Sequence, residues 1–214
     1  QGLFFMANFI FRSILAGMLI SIGGCAMISA QLPIVGPVLF SFGLLCVLML
    51  DCRLYTGAIG YAKLSSIPYL MMMFGGNVIG TFVIGTMMKF YNENIAYGAY
   101  RILEAKQMLI SNPVANFDSI LIAGIMCGIL MYLAVEIWRS NVSDAGRCIG
   151  VMFAVAIFII SGYEHCIADC FYLFSASENA YSVINQVYFI LTVALGNSIG
   201  SICTNKIKNF AISN

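Results

Sequence analysis

The sequence predicts an all-α membrane protein of six transmembrane helices, arranged as two inverted three-helix repeats with broken second and fifth helices. Three observations predict it. Of 214 residues, 61% are hydrophobic and only 9% charged, against about 25% charged in an ordinary soluble domain. A mean hydropathy of +0.95 leaves no water-facing surface on all sides. At roughly 20 apolar residues per crossing, the length allows six spans with short loops. Finally, the chain carries one pattern twice. Each half has three apolar runs. The middle run of each is interrupted by charge and glycine, and the third of each carries Gly-Asn-x-Ile-Gly, at Gly76 to Gly80 and at Gly196 to Gly200.

The elements follow in order. Span 1 covers about 10–30 and is rich in small residues (Ala16, Gly17, Gly23, Gly24), which let helix backbones approach closely in lipid. Its flanks lack a cleavage pattern, so it reads as a span and not as a signal peptide. Span 2 starts near Pro33 and is apolar to Leu50. It then meets Asp51-Cys52-Arg53-Leu54-Tyr55-Thr56-Gly57 before resuming to Ala62. Span 3 runs over 68–88. A polar stretch over 89–116 follows, with Asn112-Pro113 as breaker and restart. Span 4 covers 117–138. Span 5 begins near Gly146, is interrupted at Ser161-Gly162-Tyr163-Glu164-His165, and resumes through Phe174. Span 6 covers 183–207.

The repeat period is about 110–120 residues. Three spans per half force the halves into opposite orientations, and inverted repeats with interrupted helices point to a transport site near the midplane. The chain therefore reads as a single transmembrane channel domain over 1–214, with repeats at about 8–90 and 115–208. Arg12, Lys63, Arg139, Arg147, Lys206 and Lys208 collect on the side of the termini, and Lys89, Arg101 and Lys106 on the other. This excess predicts cytoplasmic termini and a multi-pass protein of the cell membrane.

A net charge of +1 gives nucleic acid nothing to bind. The eight cysteines, 25, 46, 52, 127, 148, 166, 170 and 203, include no Cys-x-x-Cys pair and read as buried reduced thiols. His165, Cys166, Asp169 and Cys170 lie at spacings that do not surround one tetrahedral centre, so neither a metal nor another cofactor is expected. Charge inside a membrane is costly and lines a bundle interior or a wet cavity. The candidates are Asp51 and Arg53 in span 2 and Glu164, His165 and Asp169 in span 5. His165 is the only histidine. An imidazole titrates near neutral pH, so it can attract an anion or hand over a proton. Asp51 and Arg53, two apart, read as loop residues or as rim charges of a pore. Tyr55 and Phe158 flank the two breaks.

These motifs resemble the formate/nitrite transporter family. Ser161-Gly162-Tyr163-Glu164-His165-Cys166-Ile167-Ala168-Asp169 resembles its S-G-F-E-H-S-I-A-N signature. Leu54-Tyr55-Thr56 resembles its L-F-T filter loop. Gly76-Asn77-x-x-Gly80 and Gly196-Asn197-x-x-Gly200 resemble its paired G-N-x-x-G elements, and Gly124-Ile125-x-Cys127 the start of its fourth span. The likeness covers nearly the whole chain and leans to the nitrite and hydrosulfide branches.

The resemblance implies an aquaporin-like fold, a homopentamer and one pore per protomer. It makes His165 the central pore histidine and Thr56 the filter threonine facing it. Leu54 and Phe158 become hydrophobic constrictions, with Tyr55, Glu164, Asn77 and Asn197 around them. The chain departs from the pattern at four places. The family's lysine before span 4 falls on Asn112, and Lys106, six residues earlier, could serve only if the loop is rearranged. The fourth-span asparagine falls on Gly128, the acid before the filter leucine on Arg53, and the signature's last asparagine on Asp169.

The function expected is passage of small monovalent anions or their conjugate weak acids (formate, nitrite, hydrosulfide or similar, fluoride among them), with protons, lipid and further copies of the chain as partners. An aquaporin-like neutral-solute channel is the alternative. It wants paired Asn-Pro-Ala boxes, which the sequence lacks. A membrane redox enzyme wants haem-ligating histidine pairs, and a single histidine argues against it.

Overall fold

The computed structural model describes residues 2–30 and 32–212. Four helices are long and apolar enough to cross a membrane: α1 (Gly2–Ala30), α4 (Ile67–Tyr91), α7 (Phe117–Arg139) and α10 (Val183–Ile212). The other two crossings are split. The first is α2 (Val35–Met49), a break, then the single turn α3 (Tyr55–Ala58), prolonged by 3-10 turns at 59–61 and 64–66. The second is α8 (Asp144–Ile160), a break, then α9 (Cys166–Ser175).

Local chemistry fixes these ends. Pro68 sits in the first turn of α4, where its missing N–H costs nothing. Asp118 and Arg139 occupy the first and last turns of α7 and complement its dipole. Ser143 caps α8 by accepting from the Gly146 N–H at 3.2 Å.

Both breaks are built alike. The Cys52 N–H donates to the Val47 carbonyl and the Asp51 N–H to that of Leu48. The Tyr163 N–H donates to the Phe158 carbonyl and the Gly162 N–H to that of Ile159. Each is the six-to-one and five-to-two pair of a Schellman ending. It requires a left-handed residue, and Asp51 (φ 49°) and Gly162 (φ 68°) supply it. Gly162 does so at no steric cost, while an aspartate tolerates the region better than most side chains do.

The long helices cross in two equivalent close pairs, α1 with α4 and α7 with α10. A Cβ on Gly17 would lie 2.0 Å from the Asn77 carbonyl oxygen, and one on Gly128 2.2 Å from that of Asn197. Gly128 is the position where the family pattern has asparagine. Within this packing no side chain fits there. The halves interlock through their short helices: α9 packs on α4 of the other half, and α3 with its 3-10 turn packs on α7 and α10.

The stretch over 89–116 is not a plain polar loop. α4 continues to Tyr91, Asn92 caps α5 (Glu93–Ala105) by accepting from the Asn94 and Ile95 N–H groups, and α6 (Gln107–Ser111) follows. Ile95, Ala96, Ala99 and Leu103 form a buried stripe on α5, at the i, i+4, i+8 spacing of an amphipathic helix. That stripe packs on α9.

Candidate functional site

The two short helices point their N-termini at the middle of the bundle. An asparagine from the third span of each half holds them there. Asn77 accepts from the Tyr55 N–H at 2.9 Å and donates to the carbonyls of Ser13 (2.7 Å) and Arg53 (2.8 Å). Asn197 accepts from the Cys166 N–H at 3.1 Å and donates to the carbonyls of Gly124 (2.8 Å) and Glu164 (2.9 Å). Backbone at membrane depth must be satisfied by protein. In both halves one amide does so, bonding the residues on either side of the N-cap and a carbonyl of the neighbouring long helix. Both asparagines are fully buried.

The N-caps themselves differ. Leu54 heads α3 and contributes no side-chain hydrogen bond. His165 heads α9, and its Nδ1 accepts from the Ala168 N–H at 3.1 Å. A neutral imidazole has one donor and one acceptor nitrogen. With Nδ1 accepting, the proton is assigned to Nε2, which then donates to Thr56 Oγ1 at 2.9 Å. This bond joins the first turns of the two short helices, one from each half. The Phe158 ring stacks on the imidazole at 5.7 Å between centroids and meets Phe40 edge-on at 5.9 Å. Leu54, Thr56, Phe158 and His165 are all buried, so the ring is held from one face, one edge and its own helix.

Tyr55 stands beside this group. Its hydroxyl pairs with Ser198 Oγ at 2.8 Å and its ring meets Phe74 edge-on at 5.2 Å. Both contacts tie α3 to its neighbours.

On the side away from the termini, Lys106 reaches the second break. Its Nζ donates to Glu164 Oε2 and, at 2.5 Å, to Asp169 Oδ1. Both carboxylates are buried, and Asp169 Oδ2 has no hydrogen-bond partner among the described residues. Sequence reasoning let Lys106 serve only if the loop was rearranged. The α5 helix carries it there. Asn112, by contrast, is exposed between α6 and α7, where its carbonyl accepts from the Asn116 side chain at 2.9 Å.

On the side of the termini, a cavity of about 290 Å³ opens over the first break. Asp51, Arg53, Leu54, Val135, Trp138 and Arg139 are among its walls. Arg12 Nη1 donates to Asp51 Oδ2 at 2.7 Å, while Arg53 Nη2 reaches the same oxygen only at 3.4 Å. Arg139 lies over the Tyr61 ring, 4.2 Å from its centroid. Sequence spacing gave no sign that Arg12 and Asp51 meet across 39 positions.

The sequence profile of the family described as Formate/nitrite transporter matches residues 4–208. The chain is 24% identical over 212 residues to a protein described as "Formate channel FocA" from Haemophilus influenzae, covering 83% of this chain and 73% of that protein. It is 28% identical over 182 residues to a "Formate-nitrite transporter" of Plasmodium ovale, covering 75% of this chain and 57% of that protein. The chain thus spans little more than half of that relative's length. Two solved structures share the fold: an "FNT family ion channel" (TM-score 0.82, 18% identity, covering 96% of this chain and 90% of that one) and a "Pentameric formate channel with formate bound" (TM-score 0.78, 21% identity, 97% of each). Matches to both a formate channel and formate-nitrite transporters do not separate the branches of the family.

Proposed function

The chain belongs to the formate/nitrite transporter family, and from that membership and the geometry of the two breaks we propose that it passes small monovalent anions, or their conjugate weak acids, between Leu54, Thr56, Phe158 and His165. The observation that carries the reading is the 2.9 Å bond between Thr56 Oγ1 and His165 Nε2. It ties together the helix breaks of opposite halves, where an imidazole meets the buried side chains of Leu54 and Phe158.

The physical problem is charge. An anion in a dry constriction loses hydration worth several kcal/mol or more. A weak acid that takes up a proton avoids most of it. The Leu54 and Phe158 side chains exclude hydrated ions, and the N-terminus of α9 adds fixed positive potential. His165 donates from Nε2 to Thr56, which leaves the threonine hydroxyl hydrogen free to bond a passing solute. To supply a proton itself, the ring must first take one on Nδ1, and that nitrogen then no longer accepts from Ala168. Capping and proton transfer compete, so the neutral ring is the resting form and the charged ring a transient one.

The assembly that fits this reading is a homopentamer with a pore in each protomer, as in the pentameric formate channel that shares the fold. The excess of Lys and Arg on the side of the termini supports cytoplasmic termini in the cell membrane.

Formate uptake into proteoliposomes, measured between about pH 5 and 8, tests the proton role. His165→Asn keeps a hydrogen-bonding side chain but cannot titrate. It should flatten the pH dependence. An unaltered pH profile would remove His165 from proton transfer.

A further inference from the structure

The two mouths of the pore are built on equivalent breaks but carry different charged side chains. On the Lys106 side, one ammonium is bound by two buried carboxylates, Glu164 and Asp169. The cation of this cluster is engaged on both partners. On the side of the termini, Arg12 and Arg53 both reach the carboxylate of Asp51, and Arg139 lines the same cavity. Arg12 holds that carboxylate at 2.7 Å, which leaves Arg53 with a long contact of 3.4 Å. Arg139 stacks on Tyr61, whose hydroxyl donates to Glu136 at 2.5 Å. Glu136 is bound in turn by Lys208 and does not neutralise the arginines. Arg53 and Arg139 both line the cavity of about 290 Å³, as does the buried Leu54.

We propose that this cavity is an anion-loading site, in which the Arg53 guanidinium, with Arg139 behind it, captures a small monovalent oxyanion directly against Leu54. The inference rests on the pore reading above and adds a binding site and a sidedness to it. A guanidinium presents a planar fork of donors that matches a carboxylate-type anion with two bonds, stays charged at every physiological pH and sheds water more readily than an ammonium. Low-dielectric walls around it concentrate the field. Arg53 stands one residue before Leu54, so an anion held there has only the apolar ring left to pass before it meets Thr56. Lys106, already bound to two carboxylates, offers no such site on the far side. Anions therefore load from the side of the termini at lower concentration than from the other.

The test uses the full chain in proteoliposomes, sorted into the two orientations by the accessibility of a tag at the C-terminus. Initial rates of sodium formate uptake are measured against external formate. In the wild-type protein, half-saturation should be lower for vesicles that expose the arginine mouth. Arg53→Gln should raise half-saturation about fivefold at that mouth and leave the other unchanged. Arg53→Lys should fall between the two, since it keeps the charge and loses the fork. Equal half-saturation at both wild-type mouths would overturn the proposal. So would an Arg53→Gln variant that matches wild type, or one that weakens both sides alike. Uptake that never saturates at the arginine mouth would also overturn it, whereas uptake no faster than in protein-free vesicles in either orientation would instead sink the pore reading itself.

Discussion

The two helix breaks are nearly the same object made twice, and they differ most tellingly at the N-cap. Asn77 and Asn197 make the same three kinds of bond. Both breaks end their first helix with the same pair of backbone bonds. At the N-cap, however, one half has Leu54 and the other His165. Where the leucine only fills space, the histidine caps its helix, stacks on Phe158 and reaches the opposite half at Thr56. The repeat supplies one scaffold twice, and divergence at the N-cap gives one copy a titratable side chain.

Charge follows the same logic. Arg53 and Glu164 occupy equivalent places, each giving its carbonyl to the clamping asparagine. Their side chains give the two mouths different charged groups.

The largest expected effect comes from the interface on which both clamps depend. At Gly128 any side chain meets the Asn197 backbone, so Gly128→Asn should yield no folded protein. Gly75 has nothing within 4 Å of its would-be Cβ, so Gly75→Ala should behave as wild type. Yield of the detergent-purified oligomer checks both.

Lys106→Met comes next. It strands Glu164 and Asp169 as unpaired buried carboxylates, at a cost of about 3–5 kcal/mol, read as a lowered melting temperature. Adding Asp169→Asn should restore part of the loss, since an amide needs no counter-charge. If the double variant is no more stable than the single one, the charge cluster is not what Lys106 supports.

The clamps should then prove equal in strength. Asn77→Ala and Asn197→Ala each leave one N–H and two carbonyls unpartnered, which costs about 2–3 kcal/mol. Their melting temperatures should fall by similar amounts. A large inequality would break the equivalence between the halves.

A smaller change in stability than at the clamps belongs to Thr56→Val, which keeps shape and removes the hydroxyl that accepts the His165 bond. It should cost about 1 kcal/mol in stability yet slow formate uptake severalfold, while Thr56→Ser retains the rate.

Much of this architecture was legible because it is written twice. The repeated Gly-Asn-x-Ile-Gly and the charge inside two apolar runs located both breaks, and a lone histidine after a glycine marked the gate. The structure brings Thr56 to that histidine and Asn77 and Asn197 to the two short helices. Three features were not legible as read. The reach of Lys106 depended on seeing 89–116 as an amphipathic helix. The stripe of Ile95, Ala99 and Leu103 was available as a signal but was masked by the polar residues around it, Asn92, Glu93, Asn94, Arg101 and Glu104. Asn112 took the lysine's place in a count along the chain, but a folded connection does not preserve such a count. The meeting of Arg12 with Asp51 is a contact between spans that no local spacing encodes.

The central claim is that solute passes between the two breaks, against Leu54. Leu54→Trp fills that passage from a position whose backbone already supports a bulky side chain. Formate uptake into proteoliposomes should fall to the level of protein-free vesicles, while the purified protein keeps the wild-type oligomer size. Uptake at the wild-type rate by such a correctly assembled variant would place the route elsewhere and contradict the account.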